Sequence, residues 1–367
     1  MLFLSKDELP VRSLHIISTP ARRGAETFAI DLCQALREFG DDAEVVALSP
    51  ASTDECHDVP TLGRSRRAPE TLTKLRALAT RADVTVAHGS STLEACAVGM
   101  AWSSAPFVYR SIGDPNYWVT GPLRTPIIGS FHRRASHHVA LWSGAAERLS
   151  ERYDIDPARI SIVPNATDAA RWLLASPTER SAARASLGLG PDGNCLAFVG
   201  ALSPEKDVDL VLDTAIQLPD VDVLIAGDGP ERTRLERRAS MLGASRVRFL
   251  GPVRDPRPIY AAADLLLLPS LSEGMPAVII EAGLVGTPSL ATAVGAVPEM
   301  IIDGETGYLV LPEDRRAFPE RARTSLPTSE GVGRSAASAF HQRYSIHQVA
   351  PLWREVFGRL KDSSARR

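Results

Sequence analysis

The sequence predicts an α/β protein with two Rossmann-like, doubly wound domains that face each other across a cleft. Short apolar runs alternate with helical segments through both halves of the chain, a pattern typical of parallel strands joined by crossover helices. A length of 367 residues allows two domains. The stretch 165–194, rich in Ala, Ser, Pro and Gly, separates the halves. We expect an N-terminal domain at 1–172, a C-terminal domain at 173–340, and a helix at 341–367 that packs back on the first domain.

Each predicted strand is a short run rich in Val, Ile, Leu and Ala. The predicted strands of the first half span 11–18, 43–49, 82–89, 105–112, 137–143 and 159–164. Those of the second half span 194–202, 221–227, 247–251, 264–270 and 287–293. Helices are predicted between them, among others at 26–39 and 178–187, and the segment 348–360 is amphipathic.

The loops after the strands are the expected ligand loops, because open parallel sheets bind ligands beyond the carboxyl ends of their strands. These loops read PARRG, HGS, GALSPEK, GDGPER, GPVRD, PSLSEGMP and AVGAVPE. Two domains that face each other would place such loops on both walls of the cleft.

Charge and cysteine content exclude several classes of protein. A net charge of -3 argues against nucleic-acid binding, which usually needs a basic domain. The four cysteines form no C-x-x-C pair, which fits a reducing compartment and predicts neither a zinc site nor a disulfide framework. The first ten residues are too short and too charged for a signal peptide, and no apolar run reaches membrane-spanning length. We expect a cytoplasmic protein, with peripheral contact at the inner membrane face left open by the basic segment 129–138.

The stretch SEGMPAVIIEAGLVG, at 272–286, holds two carboxylates eight positions apart. Glu273 lies in a Gly/Pro turn, and Glu281 lies inside an apolar segment that begins near Pro276, a residue suited to the first turn of a helix. Burying a charge is costly unless a partner compensates it. Either Glu273 caps the helix and Glu281 pairs with an arginine, or both carboxylates contact a ligand.

Six strings in register extend this pattern over about 162–310. They are VPNATD (163–168), FVGALSPEKDVDLVLDTA (198–215), IAGDGPERTRLE (225–236), VRFLGPV (247–253), AAADLLLLPSLSEGMPAVIIEA (261–282) and GAVPEMIIDGETGYLV (295–310). Together they resemble the retaining glycosyltransferases of family four (glycosyl transferases group 1), which have the GT-B fold. The N-terminal string RRGAETFAIDLCQAL resembles that family's opening turn and helix less strongly.

The resemblance implies a hexosyltransferase that moves a sugar from a nucleotide diphosphate sugar, with UDP the favoured base, to a hydroxyl acceptor such as a glycan or a lipid-linked glycan. It places Lys206 on the donor diphosphate, where an ammonium stabilises the leaving group. Glu273 would reach hydroxyls of the transferred sugar, and Glu281 would accept hydrogen bonds from the ribose diol. The remaining implied donor contacts are the backbone of Val253 on the base and the turn Gly274, Met275 and Pro276, whose amides would face phosphate or sugar oxygens.

Two residues of the N-terminal half are further candidates. Gly24 could let the backbone approach the donor phosphates or the acceptor, or it could be an ordinary turn glycine. His88 follows a predicted strand and could donate to the sugar or phosphate as a catalytic residue, or it could be a satisfied strand-end histidine. Both alternatives stay open at this point.

No cofactor and no essential metal are expected. The two DVD strings, at 207–209 and 220–222, mimic a metal-binding Asp-x-Asp, but neither has other oxygen ligands near it in the sequence. The string GDG at 227–229 is only half of a dinucleotide fingerprint, which argues against a nicotinamide cofactor.

The chain departs from the family at two positions. Ala201 stands where the family often has an arginine on the diphosphate, and Arg22 or Arg23 are the candidate replacements. Ile112 stands where the family tends to have a histidine, and Arg110 or Asp114 lie nearby. These departures leave two alternative functions open: a nucleotide-sugar-binding protein without transferase activity, or a GT-B sugar-nucleotide epimerase.

Overall fold

A computed structural model of the protein describes residues 10–52, 56–101, 103, 105–113 and 124–365. The chain divides into two compact units. The first, here called the N unit, comprises the described residues up to Asn165 together with those from Ile346 onward, and the second, the C unit, is Ala166–Ser345. The chain therefore leaves the N unit earlier than the predicted boundary at 172, and returns to it later than the one at 340.

The N unit contains a six-stranded parallel sheet in the order β2-β1-β3-β4-β5-β6. Its strands are β1 (Arg12–Ile17), β2 (Asp42–Ala47), β3 (Val84–His88), β4 (Phe107–Ser111), β5 (His137–Ala140) and β6 (Ile160–Ile162). Its first five helices are α1 (Gly24–Glu38), α2 (Pro69–Ala79), α3 (Ser90–Gly99), α4 (Arg124–Arg134) and α5 (Ser143–Tyr153).

The C unit contains a second six-stranded parallel sheet, in the order β12-β11-β10-β7-β8-β9. Its strands are β7 (Cys195–Val199), β8 (Asp222–Ala226), β9 (Val247–Gly251), β10 (Leu265–Leu268), β11 (Ser289–Thr292) and β12 (Tyr308–Val310). Its helices are α6 (Pro177–Ser186), α7 (Val208–Gln217), α8 (Arg232–Met241), α9 (Arg257–Ala262), α10 (Ala277–Val285), α11 (Val297–Met300), α12 (Phe318–Ser325) and α13 (Ser329–Tyr344).

Both faces of the C-unit sheet are covered, which explains why its strands are continuous apolar runs. In β7, Leu196 and Phe198 belong to one buried cluster, which includes residues of α7, α8 and α12. Their neighbours Ala197 and Val199 belong to a second cluster, with residues of α6, α9 and α10. Alternate residues of a strand point to opposite faces, so the helices lie on both sides of the sheet.

The last helix, α14 (Ile346–Ala365), belongs to the N unit. Its Trp353 is buried against Phe28 of α1 and His88 of β3. At the rim of this contact, Nε of Arg354 lies 2.8 Å from Oδ2 of Asp41. The opposite face of the N-unit sheet packs on α2 and α3. Within the described segments, no helix is long and apolar enough to cross a membrane.

The two layered parallel sheets confirm the predicted α/β class with two Rossmann-like domains. The structure differs from the prediction mainly at the ends of elements and at β12, which was not predicted as a strand. The C-unit order places β7 beside β10, with Leu196 paired to Leu265, and the chain winds away from these two strands in opposite directions. The loops after β7 and β10 therefore flank the switch point of the sheet, where ligands of this architecture bind.

Candidate functional site

Lys206 and Glu273 form an ion pair at this switch point. Lys206 ends a short 3-10 turn (Pro204–Lys206) that follows β7, and Glu273 lies in the loop that follows β10. Nζ of Lys206 is 2.6 Å from Oε1 of Glu273. The lysine side chain is 21% exposed and the glutamate side chain only 7%, so the ammonium is the member of the pair that a ligand can reach more readily.

The two loops are also joined through their backbones and through a second donor to Glu273. The amide of Leu271 donates to the carbonyl of Glu205 at 2.8 Å, which ties the loop after β10 to the turn after β7. Ser270 donates its hydroxyl to Oε1 of Glu273 at 2.6 Å. Glu273 thus receives a hydroxyl and an ammonium at the same oxygen, which compensates the cost of burying its charge.

A third loop supports the backbone of Glu273 and Gly274. The amide of Ala296, after β11, donates to the carbonyl of Gly274 at 2.9 Å. Gly295 has a φ of +57°, and a Cβ at this position would lie 2.0 Å from the carbonyl oxygen of Glu273. The close approach of these two backbones therefore requires glycine at position 295.

Glu281 lies on α10 and is partly buried. The hydroxyl of Tyr260, from α9, donates to its Oε2 at 2.9 Å. Burial, with the negative charge of Glu281 second, raises the pKa of Tyr260 well above its ordinary value, so the phenol is a neutral donor near pH 7. The carboxylate of Glu281 is thereby oriented by a neutral, rigid partner.

The turn between the two glutamates differs slightly from the prediction. Helix α10 begins at Ala277, and Pro276 lies just before it in an extended conformation. The sequence had predicted Pro276 as a residue of the helix itself. Met275 and Pro276 are buried, and Gly274 is partly buried. The Pro276 ring fixes the approach of the turn to the helix, because its φ is locked near the observed value of −70°.

Two further C-unit positions singled out from the sequence, Val253 and Ala201, differ in burial. Val253 is partly buried and packs on the cluster that contains Tyr260. Ala201 is exposed, directly after Gly200 at the end of β7. Because Ala201 replaces the arginine that the family often has at this position, Lys206 is the cation that the sequence predicts on this edge of the sheet.

His88 lies inside the N unit and is 4% exposed. Its Nε2 is 3.0 Å from Nδ1 of His15, and the two rings stack with centroids 5.3 Å apart. Burial lowers the pKa of His15 to about 3, with Arg37 and Arg110 adding to the effect, and burial also lowers the pKa of His88 well below its usual value. Both imidazoles are therefore neutral near pH 7. His88 packs among aromatic rings, and its Nδ1 is buried without a hydrogen-bond partner among the described residues.

The residues around the departure at Ile112 are also buried. Arg110, at the end of β4, is 1% exposed, with its guanidinium 3.7 Å from the Phe28 ring centroid and its Nη2 2.9 Å from Oδ1 of Asn165. Burial lowers the pKa of Arg110 to about 9, an effect that the nearby Glu26 opposes. Asp114 lies outside the described residues.

Arg22 and Arg23 are exposed before α1, and Gly24 is the first residue of that helix.

Three residues at the site were missed by sequence reasoning: Tyr260, Ser270 and Arg315. The Nη2 of Arg315 donates to the carbonyl of Pro269, directly after β10, at 3.3 Å. Ser270 could have been found, because it stands three positions before Glu273 at the end of a predicted strand. Tyr260 and Arg315 carry no local pattern, since each reaches the site from a different helical segment. Among the described residues, no group of three or more His, Cys, Asp or Glu side chains is placed to hold a metal ion.

Two family models match the two halves of the chain, and curated relatives match part of it. The model for glycosyl transferases group 1 matches residues 193–326, and the model for glycosyltransferase family 4 matches residues 22–171. A D-inositol 3-phosphate glycosyltransferase of Mycobacterium sp. (strain KMS) is 43% identical over 174 residues. This match covers 45% of the present chain and 39% of the relative, so it spans less than half of either protein.

Solved structures with low sequence identity share the whole fold. Anabaena Alr3699/HepE, crystallised with UDP and glucose, has a TM-score of 0.83 at 21% identity, covering 95% of this chain and 99% of its own. Sucrose-phosphate synthase from Thermosynechococcus elongatus has a TM-score of 0.79 at 19% identity, covering 96% of this chain and 100% of its own. The matched ranges of the two family models contain the motifs described above, and the two parallel sheets agree with these structures. The chain therefore belongs to the group 1, family 4 glycosyltransferases and has their GT-B fold.

Proposed function

We propose that the protein is a retaining glycosyltransferase that binds a nucleotide diphosphate sugar at the switch point of the C unit. The observation that carries this proposal is the ion pair between Lys206 and Glu273, 2.6 Å long, on loops that follow the two central strands β7 and β10. It presents one partly exposed ammonium where a diphosphate would bind and one buried carboxylate where sugar hydroxyls would bind.

Each side chain has a defined part in the proposed reaction. Lys206 stabilises the negative charge that grows on the diphosphate as the bond between the anomeric carbon and the phosphate oxygen breaks. The acceptor oxygen forms its bond to the same face of that carbon, and its proton passes to the departing phosphate oxygen. Glu273 holds hydroxyls of the transferred sugar, and Glu281, oriented by Tyr260, accepts from the ribose diol. No metal ion takes part in this scheme.

The proposed substrates follow from the comparisons as well as from the site. UDP is the favoured base, since a protein of the same fold was crystallised with UDP and glucose. The acceptor is a hydroxyl compound. It is either a glycan or lipid-linked glycan or, by analogy with the D-inositol 3-phosphate glycosyltransferases among the relatives, an inositol phosphate. We place the protein in the cytoplasm, with peripheral membrane contact through α4, where Arg133 and Arg134 are exposed and Ile127 is 57% exposed.

A thermal-shift panel of UDP-, GDP-, ADP- and dTDP-sugars tests the donor site, with and without EDTA, on wild type and Glu281→Ala. A ligand that binds only the folded state raises the unfolding temperature. We expect one nucleotide to stabilise the wild type, with no effect of EDTA, and Glu281→Ala to lose the shift. No shift with any of the four donors would remove the proposal.

Transfer is tested next, by NMR of the product formed with the stabilising donor and each acceptor class. We expect the anomeric configuration of the donor to be retained, and an inverted product would contradict the proposed mechanism. Donor binding without any product would favour the alternative of a nucleotide-sugar-binding protein, which the departures at Ala201 and Ile112 keep open. Product formed from the donor alone would favour the epimerase.

A further inference from the structure

The residue that follows Lys206 has an unusual backbone conformation. Asp207 has a φ of 44° and a ψ of 54°, in the left-handed region, where an L-residue with a side chain is disfavoured. It ends the turn that carries Lys206 and directly precedes α7. An aspartate before a helix usually stabilises it by accepting from the first amides. In this segment, which the structure describes fully, the Asp207 carboxylate makes no such capping bond.

Arg315 accounts for the direction of that carboxylate. Its Nη2 contacts Oδ2 of Asp207 and also donates to the carbonyl of Pro269 at 3.3 Å. Arg315 lies in a 3-10 segment (Pro312–Ala317) after β12, and its side chain is 20% exposed. One guanidinium thus joins the residue after Lys206 to the residue before Ser270, the second donor to Glu273.

We infer that Arg315 is a positioning residue for the proposed donor site, which holds the turn of Lys206 at a fixed distance from the loop of Glu273 by bridging Asp207 and Pro269. This inference rests on the proposed function, because the geometry that it fixes is useful only if Lys206 and Glu273 engage a ligand. The left-handed backbone and the forgone helix cap are both costs to local stability. Their combination at the position beside Lys206 is explained if the bridge sets the direction of the ammonium.

The test uses Arg315→Ala, Arg315→Lys, Asp207→Gly and the double variant in the full chain, with UDP as the calorimetric probe and the donor–acceptor pair identified above for kinetics. We expect Arg315→Ala to weaken UDP binding about fivefold or more and to lower kcat by about tenfold or more, since small displacements of catalytic groups cost rate steeply. Asp207→Gly keeps a backbone suited to the left-handed region but loses the carboxylate. It should resemble Arg315→Ala, and the double variant should be no worse than either. Arg315→Lys should recover part of kcat.

Matched controls separate positioning from general destabilisation. Arg323→Ala removes a comparable arginine, paired with the exposed Glu320 on α12, and should leave UDP affinity and kcat at wild-type values. Hydrogen–deuterium exchange of Arg315→Ala should accelerate in segments 203–210 and 268–275, with little change in α8 or α13.

The outcomes distinguish the inference from the function on which it rests. If the wild type binds and turns over the donor, and Arg315→Ala has the same UDP affinity and kcat, the positioning role alone is overturned. If Asp207→Gly keeps wild-type activity while Arg315→Ala is impaired, the bridge to Asp207 is overturned. Wild type that binds none of the four nucleotide sugars removes the proposed function, and the positioning role with it.

Discussion

The hydroxyl of Tyr260 donates a 2.9 Å hydrogen bond to Oε2 of Glu281, so the proposed ribose-binding carboxylate is oriented from α9. Tyr260→Phe removes this donor and keeps the ring in its fully buried place. We expect the nucleotide-induced shift in unfolding temperature to become smaller, though not as small as in Glu281→Ala, because the carboxylate remains but is less fixed. The unfolding free energy should fall by about 1 kcal/mol.

Tyr308→Phe is the control for this prediction. Tyr308 lies on the edge strand β12, and its hydroxyl bonds the Ser325 carbonyl and the Thr328 hydroxyl, so its loss costs a similar hydrogen bond. Its nucleotide-induced shift should equal that of the wild type. An undiminished shift in Tyr260→Phe would show that the tyrosine does not orient Glu281 for a ligand.

Lys206→Met should destabilise the protein as well as abolish transfer. Oε1 of Glu273 has two donors, Lys206 and Ser270, and the substitution removes the first of them. The Glu273 side chain is only 7% exposed, so its charge is then poorly compensated. We expect a loss of about 1–3 kcal/mol in urea unfolding, towards the lower end because the lysine is partly exposed. Lys206→Met combined with Glu273→Gln should be more stable than Lys206→Met alone. If the double variant is less stable instead, the ion pair does not explain the burial of Glu273.

Gly295→Ala should displace the Glu273 loop. The new Cβ would meet the Glu273 carbonyl at 2.0 Å in addition to the penalty of a positive φ. Gly304→Ala is the matched control, since its φ is +78° but nothing lies within 4 Å of its Cβ. We expect Gly304→Ala to cost about 1 kcal/mol of unfolding free energy and to keep nucleotide binding. Gly295→Ala should cost more and lose binding; equal costs would contradict the close backbone approach.

Stability should fall in acid because several histidines are buried as neutral rings. The pKa of His132 is lowered to about 3 by burial, and that of His138 to about 2 by burial and then by His132, Arg159 and His137. A base whose pKa is lower in the folded state than its unfolded value, about 6.5, binds fewer protons when folded. Stability is therefore full above about pH 6.5 and decreases as the pH falls from there towards about 3.

Thermal unfolding between pH 7 and pH 4 measures this dependence. His138→Gln removes one of the titrating rings, and its unfolding temperature should fall less steeply with decreasing pH than that of the wild type. A His138→Gln slope equal to that of the wild type would mean that this ring titrates alike in the folded and unfolded chain.

The sequence was sufficient for most of the architecture because strands buried on both faces are continuous apolar runs, visible without knowledge of their neighbours. Element ends were less predictable. The run 137–143 was predicted as one strand, yet the strand ends at Ala140 and Ser143 already begins α5. Strand β12 has three residues, Tyr308–Val310, too few to show alternation or a long apolar run.

Three residues of the candidate site were singled out from the sequence, but their arrangement was not predicted. Lys206, Glu273 and Glu281 were each singled out from their motifs, whereas the bond between Lys206 and Glu273 depends on the pairing of β7 with β10, which no local pattern encodes. The burial of His88 depends on Trp353, which comes from the last helix of the chain. Arg315 and Tyr260 were missed for the same reason: their contribution lies in contacts made across the fold.

The N unit is assembled from two separate stretches of chain, with α14 completing the layer that covers Phe28 and His88. During synthesis, the first six strands leave the ribosome well before Trp353 has been translated. Until then the aromatic side chains of α1 and β3 are not covered by α14, so the N unit stays incompletely packed while the whole C unit is synthesised. Loss of the last helix by nonsense mutation or proteolysis would therefore damage the half of the protein that was synthesised first.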